Sequence, residues 1–320
     1  MRVAFVDAAI EALDTRDDAV VVLADISTVA FAGVPNRLRD RVINVGIREQ
    51  ALVGVAGGLA LAGMVPIVHT YATFLIERAF EQIKLDLSHQ DVPAVLVSIG
   101  ASYDEPAYGR THHAPGDVAL LSTLGDWHIE VPSAAADVRP LLLDAVDRRA
   151  RTYLRLSAQT AAPSTGGLAV VRRGRDAVVL AVGPLLDRVC AAVDDLDVTV
   201  LYVRTVRPLD AAALASETDR VLAAGSDSAA TVVLVEPYLA GTAAAQINDA
   251  LGHRAHRLFS HGVRQADLHR FGTVADHDRA HGLDADSLRF AITAQVHRAG
   301  CVAHPVDRSQ EPAASAAPRA

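Results

Sequence analysis

Short, uninterrupted apolar runs alternate along this chain with longer stretches in which apolar residues recur at helical spacing. AVVVLAD at 19–25 predicts a buried parallel strand, with Asp25 at its carboxyl end, where open α/β sheets place their ligands. RVINVG at 41–46, VPIVH at 65–69, VPAVLVSI at 92–99, the stretch 127–131 and RTYLRL at 151–156 predict five more strands. Between them, residues 49–62 predict a helix buried on nearly every face. FLIERAFEQIKLDLSH at 74–89 predicts an amphipathic helix with Leu75, Ala79, Ile83 and Leu87 on one stripe. A helix begins near Asp117, and Ser133 precedes another that carries Pro140 as a kink.

Strand and helix alternate throughout, so the fold class is α/β with a mainly parallel sheet. Periodicity lapses in SAQTAAPSTGG at 157–167. AVVLAVG, DVTVLYV and ATVVLVE then supply three further apolar strands, and GHRAHRLFS contains a fourth. The expected organisation is an α/β domain over 1–160, a linker over 161–172, a second α/β domain over 173–302 and a disordered Ala/Pro-rich tail over 303–320.

A length of 320 residues suits two such domains. The chain is 51% hydrophobic but only 4% aromatic, so its cores are built mostly from Ala, Val and Leu. A net charge of -8 gives no electrostatic footprint for nucleic acid. Two cysteines are too few for a disulfide framework, and no signal-peptide core opens the chain, so a cytoplasmic location is expected. The uncharged stretch 50–76 could span a bilayer by count, but its glycines, Pro66 and the strand-like VPIVH argue against insertion.

Two segments carry chemistry. In NVGIREQ at 44–50, Glu49 opens an otherwise apolar helix. Its carboxyl is expected at the edge of a low-dielectric region that favours the protonated form and primes proton transfer. The plainer reading is a helix N-terminal acid stabilised by the dipole, with Arg48 as surface partner. In GRTHHAP at 109–115, two imidazoles and a hydroxyl occupy a loop between a strand and a helix, able to exchange protons near neutral pH. Adjacent histidines diverge, so at most one of His112 and His113 faces a common site.

The order GIREQ, GGLALAG, PIVHTYATFLIERAFEQI, GRTHH and YLRL resembles the pyrimidine-binding domain of the transketolase family, which includes 1-deoxyxylulose-5-phosphate synthase. Residues 173–300, with VEPYLAGT, resemble that family's C-terminal domain. The resemblance implies thiamine diphosphate as cofactor. Glu49 matches the glutamate that hydrogen-bonds the pyrimidine and drives its imino tautomer. Phe74 matches the aromatic that stacks on that ring, and Asp25 an acid near the cofactor. His112 matches the histidine that contacts substrate, with His113 beside it, and Arg155 an arginine that binds a sugar phosphate. Tyr108 stands where relatives usually carry an acid that contacts a donor hydroxyl. VSIG also lacks a basic residue with which relatives grip phosphate. Both departures point to a modified ketose or an α-keto acid as donor, with an aldehyde as acceptor.

The family holds the diphosphate and its divalent metal through a GDG motif, which this chain lacks. The implied protein is one chain of a split enzyme, inactive without an N-terminal transketolase-like subunit that carries GDG and holds Mg2+ or Ca2+. An alpha2beta2 assembly follows, because the Gly/Ala-rich helix offers little polar surface to water. The β chain of a 2-oxo acid dehydrogenase or decarboxylase, and a non-catalytic scaffold homologue, are the alternative readings.

Overall fold

The computed structural model describes residues 1–163, 166–225, 227–266 and 271–299. The expected tail at 303–320 lies outside these residues, as does Cys301. Two sheets organise the chain. The first uses β1 (Ala19–Leu23), β2 (Val42–Asn44), β3 (Val65–Tyr71), β4 (Val95–Ile99), β5 (His128–Glu130) and β6 (Thr152–Arg155). The second uses β7 (Leu168–Arg172), β8 (Val178–Val182), β9 (Thr199–Val203), β11 (Ala230–Leu239) and β12 (His256–Val263), while β10 (Thr205–Arg207) crosses back to the first sheet.

The first sheet runs β10-β5-β6-β4-β3-β1-β2, parallel except at β10. Strand β1 is buried throughout because both of its faces are covered. Val21 and Leu23 point to one face, with Phe5 and Leu13 of helix Arg2–Thr15 and Val138 and Leu142 of helix Ala135–Arg148. Val22 points to the other, with Leu52 of helix Glu49–Leu61 and Leu75 and Ile83 of the 73–89 segment. That second cluster continues through Val178, Leu180 and Val232 into the other sheet, so the two α/β units share one apolar core.

Helix Glu49–Leu61 ends before β3 begins at Val65, and among the described residues no helix is long and apolar enough to cross a membrane. Within 73–89 the expected single helix is broken: Thr73–Arg78 and Ile83–His89 are π-helical, flanking a short α turn at Phe80–Gln82. Leu75, Ala79, Ile83 and Leu87 are all fully buried. Residues four apart drift about 40° per step on an α-helix, and the wider π turns rotate them back onto one face.

Two strands depart from the expected organisation. Strand β7 lies inside the stretch read as linker and pairs antiparallel with β9, and β10 belongs to the first sheet although it follows the second sheet's β9. Both are edge strands: β10 is three residues long with one Val between Thr and Arg, whereas β7 carries the short apolar run LAVV but is partly exposed along its whole length.

Candidate active site

Strands β2 and β3 flank β1 on opposite sides, the strand order at which open α/β sheets place ligand sites beyond the strands' carboxyl ends. Asp25 follows β1, exposed and in the left-handed region at φ 66. Asn44, the last residue of β2, holds this rim together: its Oδ1 accepts from the backbone N–H of Asp25 at 2.9 Å and of Gly46 at 3.0 Å. One side chain thus ties the exit of β1 to the turn that leads into Glu49.

Glu49 is the first residue of its helix and only 1% exposed. A buried carboxylate requires a partner. The partner is Arg78 rather than the neighbouring Arg48 of the plain reading: Arg78 Nη1 donates to Glu49 Oε2 at 2.7 Å. The Arg78 guanidinium also lies over the Phe74 ring, 4.1 Å from its centroid. The π turn Thr73–Arg78 presents Phe74 and Arg78 together, and Gln50 Nε2 anchors it by donating to the Arg78 carbonyl at 3.1 Å.

Phe74 leads on to the histidine loop. His112 meets its ring edge to face at 5.1 Å between centroids, Tyr71 at 5.7 Å in the same manner, and Tyr108 at 4.6 Å with a tilt. Tyr71 can reach this position because Gly100, at φ 70, carries no side chain: a Cβ there would fall 2.4 Å from the Tyr71 ring. Gly109, at φ 64, plays a similar part, since a Cβ would stand 2.8 Å from Phe271 of the second unit.

The tautomer of His112 follows from its neighbours. Thr111 Oγ1 donates to the Tyr108 carbonyl at 3.0 Å and lies 3.0 Å from His112 Nδ1. When Thr111 directs its proton to that carbonyl it accepts from Nδ1–H, and Nε2 of the neutral ring then keeps the free lone pair.

Two sequence-derived site residues stand elsewhere. His113 is 5% exposed and turns away from His112 into the interface between the units, where its ring meets His277 edge to face at 5.0 Å. Burial, with His277 and Arg110 nearby, pushes it down to about 4, so the ring is neutral. Arg155 is 1% exposed. Its Nε donates to Asp117 at 2.7 Å and its Nη2 to Ser102 at 2.8 Å, while Tyr153 donates to the same Asp117 oxygen. The expected phosphate ligand is committed to a buried ion pair that joins β6 to the helix Asp117–Ser122, and its Nη2 also lies 3.5 Å from the Ala114 carbonyl of the histidine loop. YLRL marks an arginine near a strand end, but it does not reveal that Asp117 waits beneath it.

Four residues of this rim were not read from the sequence: Asn44, Tyr71, Arg78 and Glu77. Glu77, half-buried one residue before Arg78, has its carboxyl raised mainly by burial. A charged pair inside an otherwise apolar helical stripe was the available signal for Glu77 and Arg78.

Residues 1–163 match the family described as "Transketolase, pyrimidine binding domain". The chain is 48% identical to an uncharacterised 33.6 kDa protein in the fasciation locus of Rhodococcoides fascians, over 88% of this chain and 90% of that protein. It is 29% identical to one of the subunits of the apulose-4-phosphate transketolase of Actinobacillus succinogenes, over 87% of this chain and 93% of that polypeptide. A solved structure described as a split gene transketolase, inactive β4 tetramer, shares the fold with a TM-score of 0.77 at 23% identity, covering 93% of this chain and 97% of that one. With its pyrimidine-binding domain in residues 1–163, this chain belongs to the transketolase family.

Proposed function

We propose that this chain is the C-terminal subunit of a two-chain, thiamine diphosphate-dependent enzyme that transfers a two-carbon ketol or acyl unit from a ketose or α-keto acid to an aldehyde. The observation that carries this reading is the convergence of Glu49, Phe74 and His112 on one rim. The site fits the cofactor's ring on its own evidence: a planar, hydrogen-bond-donating cation already lies between the Phe74 face and the Glu49 carboxylate, in the form of Arg78. A flat aminopyrimidine has the same two requirements.

When bound, thiamine diphosphate supplies the nucleophilic carbon that carries the two-carbon unit. The rest falls to this chain. Glu49 holds a proton against the ring nitrogen, sheltered from water at the helix start. Phe74 supplies the stacking face and fixes the ring's tilt. His112 offers Nε2 to a substrate oxygen, accepting a proton when neutral and donating one when charged. Tyr108, 57% exposed at the outer edge, bounds the substrate side of the loop. Asp25 lies on the same rim through Asn44.

Among the described residues no group of His, Cys, Asp or Glu could hold a metal ion. In this reading the diphosphate and its Mg2+ or Ca2+ belong to an N-terminal subunit carrying GDG. The near end-to-end match to a protein named as one subunit of a transketolase supports the division of labour. Ile47, just before the Glu49 helix, and Leu61, its last residue, are 69% and 63% exposed apolar side chains that an alpha2beta2 assembly would cover.

Isothermal titration tests the reading. The purified chain binds thiamine diphosphate negligibly, and binding appears when the partner is added. Micromolar, magnesium-dependent binding by this chain alone contradicts the split.

A further inference from the structure

The contacts of Arg78 carry an inference about how the ring site is regulated, resting on the cofactor reading above. Its two partners are the two residues that the cofactor ring would need. Nη1 occupies Glu49 Oε2 at 2.7 Å, and the guanidinium covers the Phe74 face at 4.1 Å, the separation of a stacked ligand. A guanidinium is planar, cationic and ringed with donors, which makes it a close chemical mimic of a protonated aminopyrimidine.

We propose that Arg78 is an internal stand-in that fills the pyrimidine site of the free chain and must swing out before an aminopyrimidine can enter. The local structure suits such a motion. Glu49 is fixed and buried, with a side chain 2% exposed, whereas that of Arg78 is 40% exposed and has water to move into. The Arg78 backbone stays in place during the swing, because Gln50 holds its carbonyl and the π turn ends at Ala79, whose φ of -107 and ψ of 21 leave the helical region.

The stand-in has two effects. It keeps the buried Glu49 carboxylate paired while the site holds no ligand, which an empty site could not do without cost. It also weakens ligand binding by the fraction of chains in which the site is closed, since apparent affinity scales with the open population. A partner subunit that draws Arg78 outward, by offering its own acceptor to the exposed guanidinium, would couple assembly to cofactor entry.

The full-length chain alone is sufficient for the test, with 4-amino-5-hydroxymethyl-2-methylpyrimidine, the cofactor's ring without thiazolium or diphosphate, as probe. Ligand-observed NMR gives its dissociation constant for the unmodified chain, Arg78→Ala and Arg78→Lys, with circular dichroism confirming the fold. Removal of the stand-in tightens binding at least about fivefold in Arg78→Ala. Arg78→Lys keeps a cation for Glu49 but loses the planar stack, and gives an intermediate value. Equal or weaker binding in both variants means that Arg78 does not occupy the site, and overturns this proposal while leaving the cofactor reading intact. No binding to any of the three up to about 20 mM, a limit far weaker than ordinary fragment affinities, also overturns this proposal, since removing Arg78 then opens no pyrimidine site in the free chain; the cofactor reading is judged separately, by titration of the reconstituted complex.

Discussion

Phe74 and His112 meet edge to face at 5.1 Å between ring centroids, joining a π-helical turn after β3 to the loop after β4. Phe74 faces two ways: Arg78 covers one aspect of its ring and His112 abuts its edge. Phe74→Ala therefore weakens cofactor binding and also releases His112. His112→Ala leaves cofactor affinity within about twofold and lowers kcat/KM by roughly 10²–10⁴, the range of general acid–base assistance. Cofactor titration beside steady-state kinetics of the reconstituted complex separates the two variants.

Arg155 gives the opposite pattern. Its guanidinium is buried against Asp117 with Ser102 as a further partner, so Arg155→Ala leaves an uncompensated interior carboxylate. The expected loss is about 3–5 kcal/mol of stability. Urea unfolding checks it. A stable Arg155→Ala chain with a raised KM for a phosphorylated substrate would restore Arg155 as a phosphate ligand.

Acid weakens the fold through buried histidines. Burial pushes His69, His113 and His281 down to about 4. His69 is held between the Ser27 hydroxyl and the Val97 carbonyl, and His281 accepts from the Arg264 backbone N–H. The unfolded chain binds the protons these rings refuse, so stability falls as pH drops from about 6.5 to about 4, by up to about 1.4 kcal/mol per group per unit. Glu236 has the opposite sign: burial raises it to about 8, so its contribution is lost as pH rises from about 4.5. Between about pH 4.5 and 6.5 the three histidines outweigh Glu236, so thermal stability peaks near pH 6.5 and declines toward 8. His281→Gln shallows the acid limb, and an unchanged limb would show that His281 is protonated in the fold.

In the proposed assembly, Leu61 at the C-terminal end of the Glu49 helix is covered by another subunit. Leu61→Asp, at a position 63% exposed in the free chain, preserves the fold and blocks the alpha2beta2 complex. Light scattering reads the mass directly. A stable one-to-one complex of the unmodified chains would remove the need for this interface.

Much of the architecture was legible because each unit's central strands are continuous apolar runs covered on both faces. Strands β1, β4 and β8 could be read directly from AVVVL, VLVSI and VVLAV. Strand β10 could not, since TVR carries no apolar run, and β7, whose short run LAVV directly follows Gly166 and Gly167, lies within the stretch read as linker. The rim containing Glu49, Phe74, Tyr108 and His112 came from motif order. Its partners did not, because Asn44 and Arg78 act through contacts fixed only by folding. His113 and Arg155 show the converse: their residue types suit substrate chemistry, but burial directs them to the interior.

In the proposed reaction Glu49 holds the proton that activates the cofactor. Glu49→Gln preserves size and much of the hydrogen bonding while removing the ionisable group, so partner assembly survives. The decisive measurement is hydrogen–deuterium exchange at the thiazolium carbon of thiamine diphosphate in the reconstituted complex, followed by quenched-flow NMR. Exchange slows by at least about a hundredfold in Glu49→Gln. An exchange rate within about threefold of the unmodified complex, a difference below 1 kcal/mol, would contradict it and leave Glu49 as a helix N-terminal acid paired with Arg78.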